Sequence, residues 1–432
     1  MNLSQYYRER TIDASGAVKH IKNGDRIVLG HAVGEPQELV RALVARQEEL
    51  EDVEIVHMVC VGEAKYCAPE ARKHFRHNAI FVGGATRQAI ADGRGDYTPC
   101  FFYEVPSLFR DYLPIDVALI QTSRPDKNGY VSLGVSVDYT KAVAENAALV
   151  IAQVNEAMPR TMGDSFIHIR EIDYFVEHTE PLLELQRSEL SEEELTIGKY
   201  CASLIPDGAT LQLGIGSLPD AVLMSLEEKK DLGIHSEMFS DGVMHLVKKG
   251  VINNRKKSLH PGKIVASFIM GSRNLYNFVD ENPLIYMATV DYVNNPYVIG
   301  QNDNLISINS CVQVDLQGQV CSESIGLKQI SGTGGQVDFI RGASISKGGK
   351  AILAITSTAR NGSVSKIVPL LDEGAAITTS RNDVDYIVTE YGIAKLKGKT
   401  LRDRGRELIH IAHPKFRNDL ISEWEKRFKT TF

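Results

Sequence analysis

The chain has 432 residues, of which 43% are hydrophobic and 24% charged, and it carries a formal net charge of −7. This is the make-up of a globular protein with room for two or three domains. The acidic balance excludes a general binder of nucleic acid or anionic membrane, which needs Lys and Arg gathered on one face.

The start, Met-Asn-Leu-Ser-Gln-Tyr-Tyr-Arg-Glu-Arg, is too polar for a signal peptide, and no apolar run approaches the roughly 20 residues of a membrane span. The cysteines at 60, 67, 100, 201, 311 and 321 form no C-x-x-C pair and no metal-ligand spacing. Reduced thiols in a cytoplasm are therefore expected.

Taken in chain order, Gly24 precedes the apolar run Ile27-Val28-Leu29. Gly30 follows, then a loop through Gly34 and Pro36, and then Leu39, Val40, Leu43 and Val44 at helical spacing. β-rich runs at 53 to 59, 79 to 82, 115 to 121 and 148 to 154 alternate with helical stretches. A Pro and an acidic cluster between 179 and 193 mark an exposed connector leading into a helix.

The opening pattern then returns between 198 and 228: Gly208, Leu211-Gln212-Leu213, Gly214, a loop through Gly216 and Pro219, then Val222 and Leu226. Further β-rich runs follow at 263 to 269, 284 to 290, 351 to 356 and 385 to 389. The echo predicts two related open α/β domains, 1–185 and 186–432, with mostly parallel sheets. Ligands of such sheets bind beyond the carboxyl ends of the strands, so the active site is expected in the cleft between the domains.

Candidate chemistry collects on a few positions. His31 lies in the first glycine loop, where a histidine either orients a carboxylate or serves as a structural donor. Gln212 ends a strand and offers an amide. Glu237, in Gly233-Ile-His-Ser-Glu-Met-Phe-Ser-Asp-Gly242, closes an apolar segment before a helix-like stretch, a place from which a carboxylate can attack a carbonyl carbon. Another glycine loop, Ser331-Gly332-Thr333-Gly334-Gly335-Gln336, lets the backbone approach a ligand closely and aim N–H groups at an anion or oxyanion.

Neither this loop nor Gly214-Ile215-Gly216-Ser217 fits a nucleotide-phosphate motif. The polar loops at 123 to 130 and 154 to 164 also follow apparent strands. Arg160 there is a candidate for an anion, with salt bridging as the default, and Trp424 is read as packing.

The Glu237 segment resembles the acetyl-CoA hydrolase/transferase family of CoA-transferases. So do Ser136-Val-Asp-Tyr-Thr, Thr210-Leu-Gln-Leu-Gly-Ile-Gly, Gly332-Thr-Gly-Gly-Gln-Val-Asp-Phe, Thr379-Ser-Arg-Asn-Asp, Val388-Thr-Glu-Tyr-Gly-Ile-Ala and Ile411-Ala-His-Pro. The likeness runs from about residue 5 to the end.

The resemblance implies that Glu237 attacks an acyl-CoA to give an acyl anhydride and then a γ-glutamyl-CoA thioester. It gives active-site roles to His31 and Gln212, and CoA or oxyanion binding to Gly214, Ile215, Gly216, Gly332, Gly334 and Gly335. It further implies a homodimer that takes CoA or acyl-CoA as substrate, without a resident cofactor, ATP or metal, and 4-hydroxybutyrate as the favoured acceptor. Butyryl-CoA or propionyl-CoA:acetate transfer, thioester hydrolysis and a non-catalytic acyl-CoA sensor are the rival readings. Distant two-subunit relatives have Phe after the paired glycines where this chain has Gln336, so their CoA contacts do not carry over.

Overall fold

The computed structural model describes residues 2–185 and 189–432, which divide into two compact units. One comprises Met1–Gln186, Val265–Val293 and Ile330–Gly334; the other comprises Arg187–Ile264, Asn294–Gln329 and Gly335–Phe432. The sequence reading places a single boundary at 185/186. The chain also lends two later segments to its N-terminal unit.

The N-terminal unit is built on seven parallel strands: β1 (Arg26–Leu29), β2 (Val53–His57), β3 (Phe75–Ala79), β4 (Gly95–Tyr97), β5 (Val117–Thr122), β6 (Leu149–Val154) and β7 (Tyr174–Glu177). Their order is β4-β3-β2-β1-β5-β6-β7. β5, Val-Ala-Leu-Ile-Gln-Thr, is buried at every position, as a parallel strand covered on both faces must be. Leu39 and Leu43 of the helix Gln37–Ala45 pack with Ile27, Leu29, Ile55 and Leu119. Full burial of each such side chain contributes roughly 2 kcal/mol.

The C-terminal unit is built on a six-stranded sheet: β8 (Thr210–Leu213), β9 (Gly233–Ile234), β10 (Leu305–Ser310), β11 (Lys350–Ala354), β12 (Tyr386–Thr389) and β13 (Gly392–Lys395). They run in the order β9-β8-β10-β11-β12-β13, parallel except for the β12–β13 hairpin. The connector leads into the helix Glu192–Ser203, whose start is fixed by a capping box. Ser191 accepts from the Glu194 N–H at 3.2 Å, and Glu194 accepts from the Ser191 N–H at 2.9 Å. Residues 186–188 of that connector lie outside the described residues.

The two units repeat one another's logic. In each, a first strand (β1 or β8) has its successor on one side and a later strand (β5 or β10) on the other. The chain reverses its winding there, which is where an open α/β sheet opens a crevice at its carboxyl edge. His31 follows β1, and the Gly214 loop follows β8. Trp424 is fully buried and donates to the Arg402 carbonyl at 2.9 Å, a packing role as read from the sequence.

Candidate active site

In the N-terminal unit, His31 is fully buried in an aromatic box. Phe268, Tyr139 and Phe102 have ring centroids 4.6, 5.5 and 5.7 Å from its own. Its Nδ1 lies 3.1 Å from Asp138 Oδ2. Asp138 is in turn a hub that accepts from the Ser136 hydroxyl at 2.5 Å, the Tyr139 N–H at 2.7 Å, the Thr140 N–H at 3.2 Å and the Thr140 hydroxyl at 3.1 Å.

The Ser136-Val-Asp-Tyr-Thr motif is thus a cradle for one carboxylate, and that carboxylate orients the imidazole. His31 Nε2 has no hydrogen-bond partner, the arrangement expected of a ring nitrogen reserved for a ligand. Burial first, and then the Asp138 carboxylate, holds the Tyr139 phenol well above its ordinary pKa, so it remains a neutral donor to the Leu29 carbonyl at 2.9 Å.

In the C-terminal unit, Glu237 occupies the bend between β9 and the short strand Met238–Phe239, and it is half-buried. The preceding Ser236 stitches this bend to the end of β8 by accepting from the Leu213 N–H at 3.3 Å and donating to the Leu213 carbonyl at 3.1 Å. Asn294 Nδ2 donates to Glu237 Oε2 at 2.8 Å and to Asp338 Oδ2 at 3.2 Å. A Cβ at Gly335 would collide with Glu237 Oε2 and Asn294 Nδ2, so any larger residue there must displace the carboxylate and the amide. Gly335 is also the N-cap of the helix Gln336–Ile345, whose dipole favours negative charge at that end.

Gln212 meets a different fate from a free amide. Its Oε1 accepts from the Ser307 hydroxyl at 2.7 Å and from Asn309 Nδ2 at 3.0 Å, and its Nε2 donates to Asn309 Oδ1 at 3.1 Å. Those bonds tie β8 to β10 rather than to Glu237. The Gly214–Gly216 loop is open: a Cβ would meet nothing within 4 Å at either glycine, Gly216 has φ +112°, and the Ile215 side chain is exposed.

Gly332 belongs to the N-terminal unit and packs on Phe81 and the Ile80 carbonyl, and Gly334 accepts from the Phe102 N–H at 3.3 Å. Arg160 is committed to structure, donating to Asp126 Oδ2 at 2.7 Å and the Tyr130 carbonyl at 3.1 Å and stacking on Phe166.

Sequence reasoning missed Asp138 as the partner of His31, Asn294 as the partner of Glu237, and Asp338 as the second acceptor of the Asn294 amide. The only local signal for Asn294 is its place just before Asn295-Pro296, a helix-start turn in which Asn295 accepts from the Tyr297 N–H.

Residues 1–184 match the acetyl-CoA hydrolase/transferase N-terminal domain, and residues 271–424 match the C-terminal domain of the same family. A 4-hydroxybutyrate coenzyme A transferase of Clostridium kluyveri is 66% identical over 429 residues, covering 99% of this chain and 100% of that protein. The chain belongs to the acetyl-CoA hydrolase/transferase family. A butyryl-CoA:acetate CoA-transferase of Anaerostipes caccae is 38% identical, with 99% of this chain and 98% of that one covered. Among solved structures, a 4-hydroxybutyrate CoA-transferase from Porphyromonas gingivalis is 47% identical with a TM-score of 0.86, covering 99% of this chain and 100% of that one. No helix among the described residues is long and apolar enough to cross a membrane.

Proposed function

We propose that the protein is a CoA-transferase that moves CoA from an acyl-CoA such as acetyl-CoA to a short carboxylic acid, with 4-hydroxybutyrate the preferred acceptor. The observation that carries the chemistry is the Glu237 carboxylate, half-buried, held on one oxygen by Asn294 and lying where a Cβ on Gly335, the N-cap of a helix, would overlap it. The 66% identity to the Clostridium kluyveri 4-hydroxybutyrate enzyme supports the choice of acid.

In the proposed reaction a Glu237 oxygen forms a bond to the thioester carbonyl carbon. The C–S bond breaks, and the products are an acyl–glutamyl anhydride and CoA thiolate. The thiolate then attacks the glutamyl carbonyl, forming a C–S bond and releasing the first acid as its carboxylate. The incoming acid reverses both steps, so no proton, electron or phosphate is consumed.

His31 is assigned the role of donor to a substrate carboxylate through Nε2, its tautomer set by Asp138. Gln212 orders the end of β8 beneath the Gly214–Gly216 loop. That loop and the Gly332–Gly335 loop supply backbone N–H groups to CoA and to the developing oxyanion, where each such donor is worth about 3 kcal/mol. The working form is taken to be a homodimer.

The test is steady-state kinetics with acetyl-CoA against a panel of acids. Parallel double-reciprocal lines, and CoA release that is negligible without an acceptor acid, are the expected result. Release of CoA at an undiminished rate without any acid would make the protein a hydrolase instead. The ranking of acids decides between 4-hydroxybutyrate and butyrate or propionate, which differ by contacts worth only about 1 to 3 kcal/mol.

A further inference from the structure

At the carboxyl edge of β1 and β2 the fold gathers three side chains that the transfer chemistry leaves unused: Glu35, His57 and Cys60. Glu35 comes from the loop after β1, His57 from the last position of β2, and Cys60 from the loop that follows. They are 1%, 1% and 5% exposed, and one donor atom from each lies within 4.8 Å of the other two. Cysteine spacing along the chain gives no hint of this cluster, because its side chains are of three different types drawn from one strand end and two loops.

Within the cluster Cys60 Sγ lies 3.6 Å from Glu35 Oε2 and 3.7 Å from the Gly62 carbonyl, and Glu35 Oε2 accepts from the Gly62 N–H at 3.3 Å. Two further polar atoms are left over. Glu35 Oε1 and His57 Nε2 are both buried without a hydrogen-bond partner, a condition that native structures rarely tolerate unless something else fills the place. The His57 ring is meanwhile held at Nδ1 by the Tyr66 hydroxyl at 3.0 Å, which fixes the orientation of the ring. Gly62 keeps the corner open, since a Cβ there would strike the Gln37 amide and Glu35 Oε2.

We propose that Glu35, His57 and Cys60 form a binding site for a thiophilic divalent cation of the zinc class. One thiolate, one imidazole and one carboxylate suit such an ion and not magnesium or calcium, which take oxygen alone. With ordinary bond lengths, a sulfur and an oxygen on one tetrahedral zinc stand about 3.6 Å apart, which is the separation the two side chains have. Glu35 and Gly62 also line a cavity of about 620 Å³, which supplies an entry path and room for a water as fourth ligand. On binding, the Cys60 thiol loses its proton to solvent, and the sulfur lone pair so freed makes the metal–sulfur bond. The site takes no part in the acyl transfer assigned to Glu237.

The test uses the full-length protein, stripped with a chelator and titrated with cobalt(II). One ion per chain is expected, with a thiolate-to-cobalt charge-transfer band and tetrahedral ligand-field bands that zinc abolishes by displacement. Cys60→Ser should lose the charge-transfer band. Tyr66→Phe, which keeps all three ligands and the ring packing, should retain the band but bind about 10- to 100-fold more weakly. Absence of the band in the unmodified protein, its persistence in Cys60→Ser, or an unchanged affinity in Tyr66→Phe would overturn the proposal. Far-ultraviolet circular dichroism of each variant establishes that it is folded, and the Tyr66→Phe comparison stands if Cys60→Ser does not fold.

Discussion

Asn294 Nδ2 donates to Glu237 Oε2 over 2.8 Å and spends its second hydrogen on Asp338 Oδ2 at 3.2 Å. Turning the amide over would set its oxygen against two carboxylates, so the orientation is fixed even though Asn294 Oδ1 is left without a hydrogen-bond partner. A charge-assisted bond of this kind is worth about 1.5 to 3 kcal/mol. Asn294→Ala should therefore lower kcat by about 10- to 100-fold with little change in KM for acyl-CoA. Asn294→Asp places a like charge beside Glu237 and raises its pKa, so the acid limb of the kcat/KM profile should move to higher pH. A pH–rate profile of both variants checks the pair, and an unmoved acid limb in Asn294→Asp would count against Glu237 acting in its ionised form.

Gly335→Ala should be nearly inactive yet folded. Its new methyl group collides with the Glu237 carboxylate and the Asn294 amide, whereas its own φ of −94° suits alanine. Displacing a reacting group by about 1 Å costs on the order of a hundredfold in rate. Thermal melting and single-turnover CoA release on the same sample separate this local displacement from a loss of fold.

Asp138→Asn tests the His31 assignment. The variant removes the acceptor that holds Nδ1, at a cost of about 2 kcal/mol, or roughly thirtyfold in kcat/KM for the acceptor acid. It should also lower the melting temperature, because four other donors converge on the same carboxylate. His31→Gln should show the kinetic defect with a smaller loss of stability.

Lys257 sets a pH dependence of stability. Its Nζ is buried and donates to the carbonyls of Ile234 at 2.6 Å and Lys263 at 2.7 Å, and burial pushes its pKa down to about 7. In the unfolded chain the value returns to about 10.4. Between those two values the unfolded state holds more protons than the folded one, so this residue adds stability as pH rises from 7 towards 10 and penalises folding most below 7. The unfolding free energy of the native chain should accordingly gain on that of Lys257→Met by on the order of 1 to 4 kcal/mol between pH 7 and 9.5. Urea titrations at the two pH values measure the gain, and a constant difference would mean that the buried amine does not titrate.

The parts of this architecture carried by apolar runs and glycine loops were readable from the chain. The paired strand–loop–helix units became β1 and β8 at the two winding reversals, and the runs expected at 115–121, 148–154, 351–356 and 385–389 lie within a residue or two of the strands Val117–Thr122, Leu149–Val154, Lys350–Ala354 and Tyr386–Thr389. β10 was not among the expected runs: Ser307, Asn309 and Ser310 break Leu305-Ile-Ser-Ile-Asn-Ser into too short an apolar run to stand out as a buried strand. Ser307 and Asn309 are polar there to bind Gln212, a long-range contact that no local pattern encodes. The expected strand at 79–82 lies instead at Phe75–Ala79, whose Arg, His and Asn look unlike a strand but bond Asp96, the Ile55 carbonyl and Glu54 on neighbouring strands.

The same limit governs the site. The candidates Glu237, His31 and the Gly335 loop were singled out from their flanking residues alone. Asp138, Asn294 and Asp338 are separated from their partners by 107, 57 and 44 residues, and folding alone brings them together.

The most direct measurement is to mix the protein with acetyl-CoA, reduce with borohydride, digest, and weigh the peptide containing Glu237. A covalent γ-glutamyl-CoA thioester predicts that the Glu237 carboxyl, and no other, is converted to a primary alcohol, only when acyl-CoA is present, with activity lost in proportion. An unmodified Glu237 peptide from protein that turns over acyl-CoA, or reduction at a different carboxylate, would contradict it.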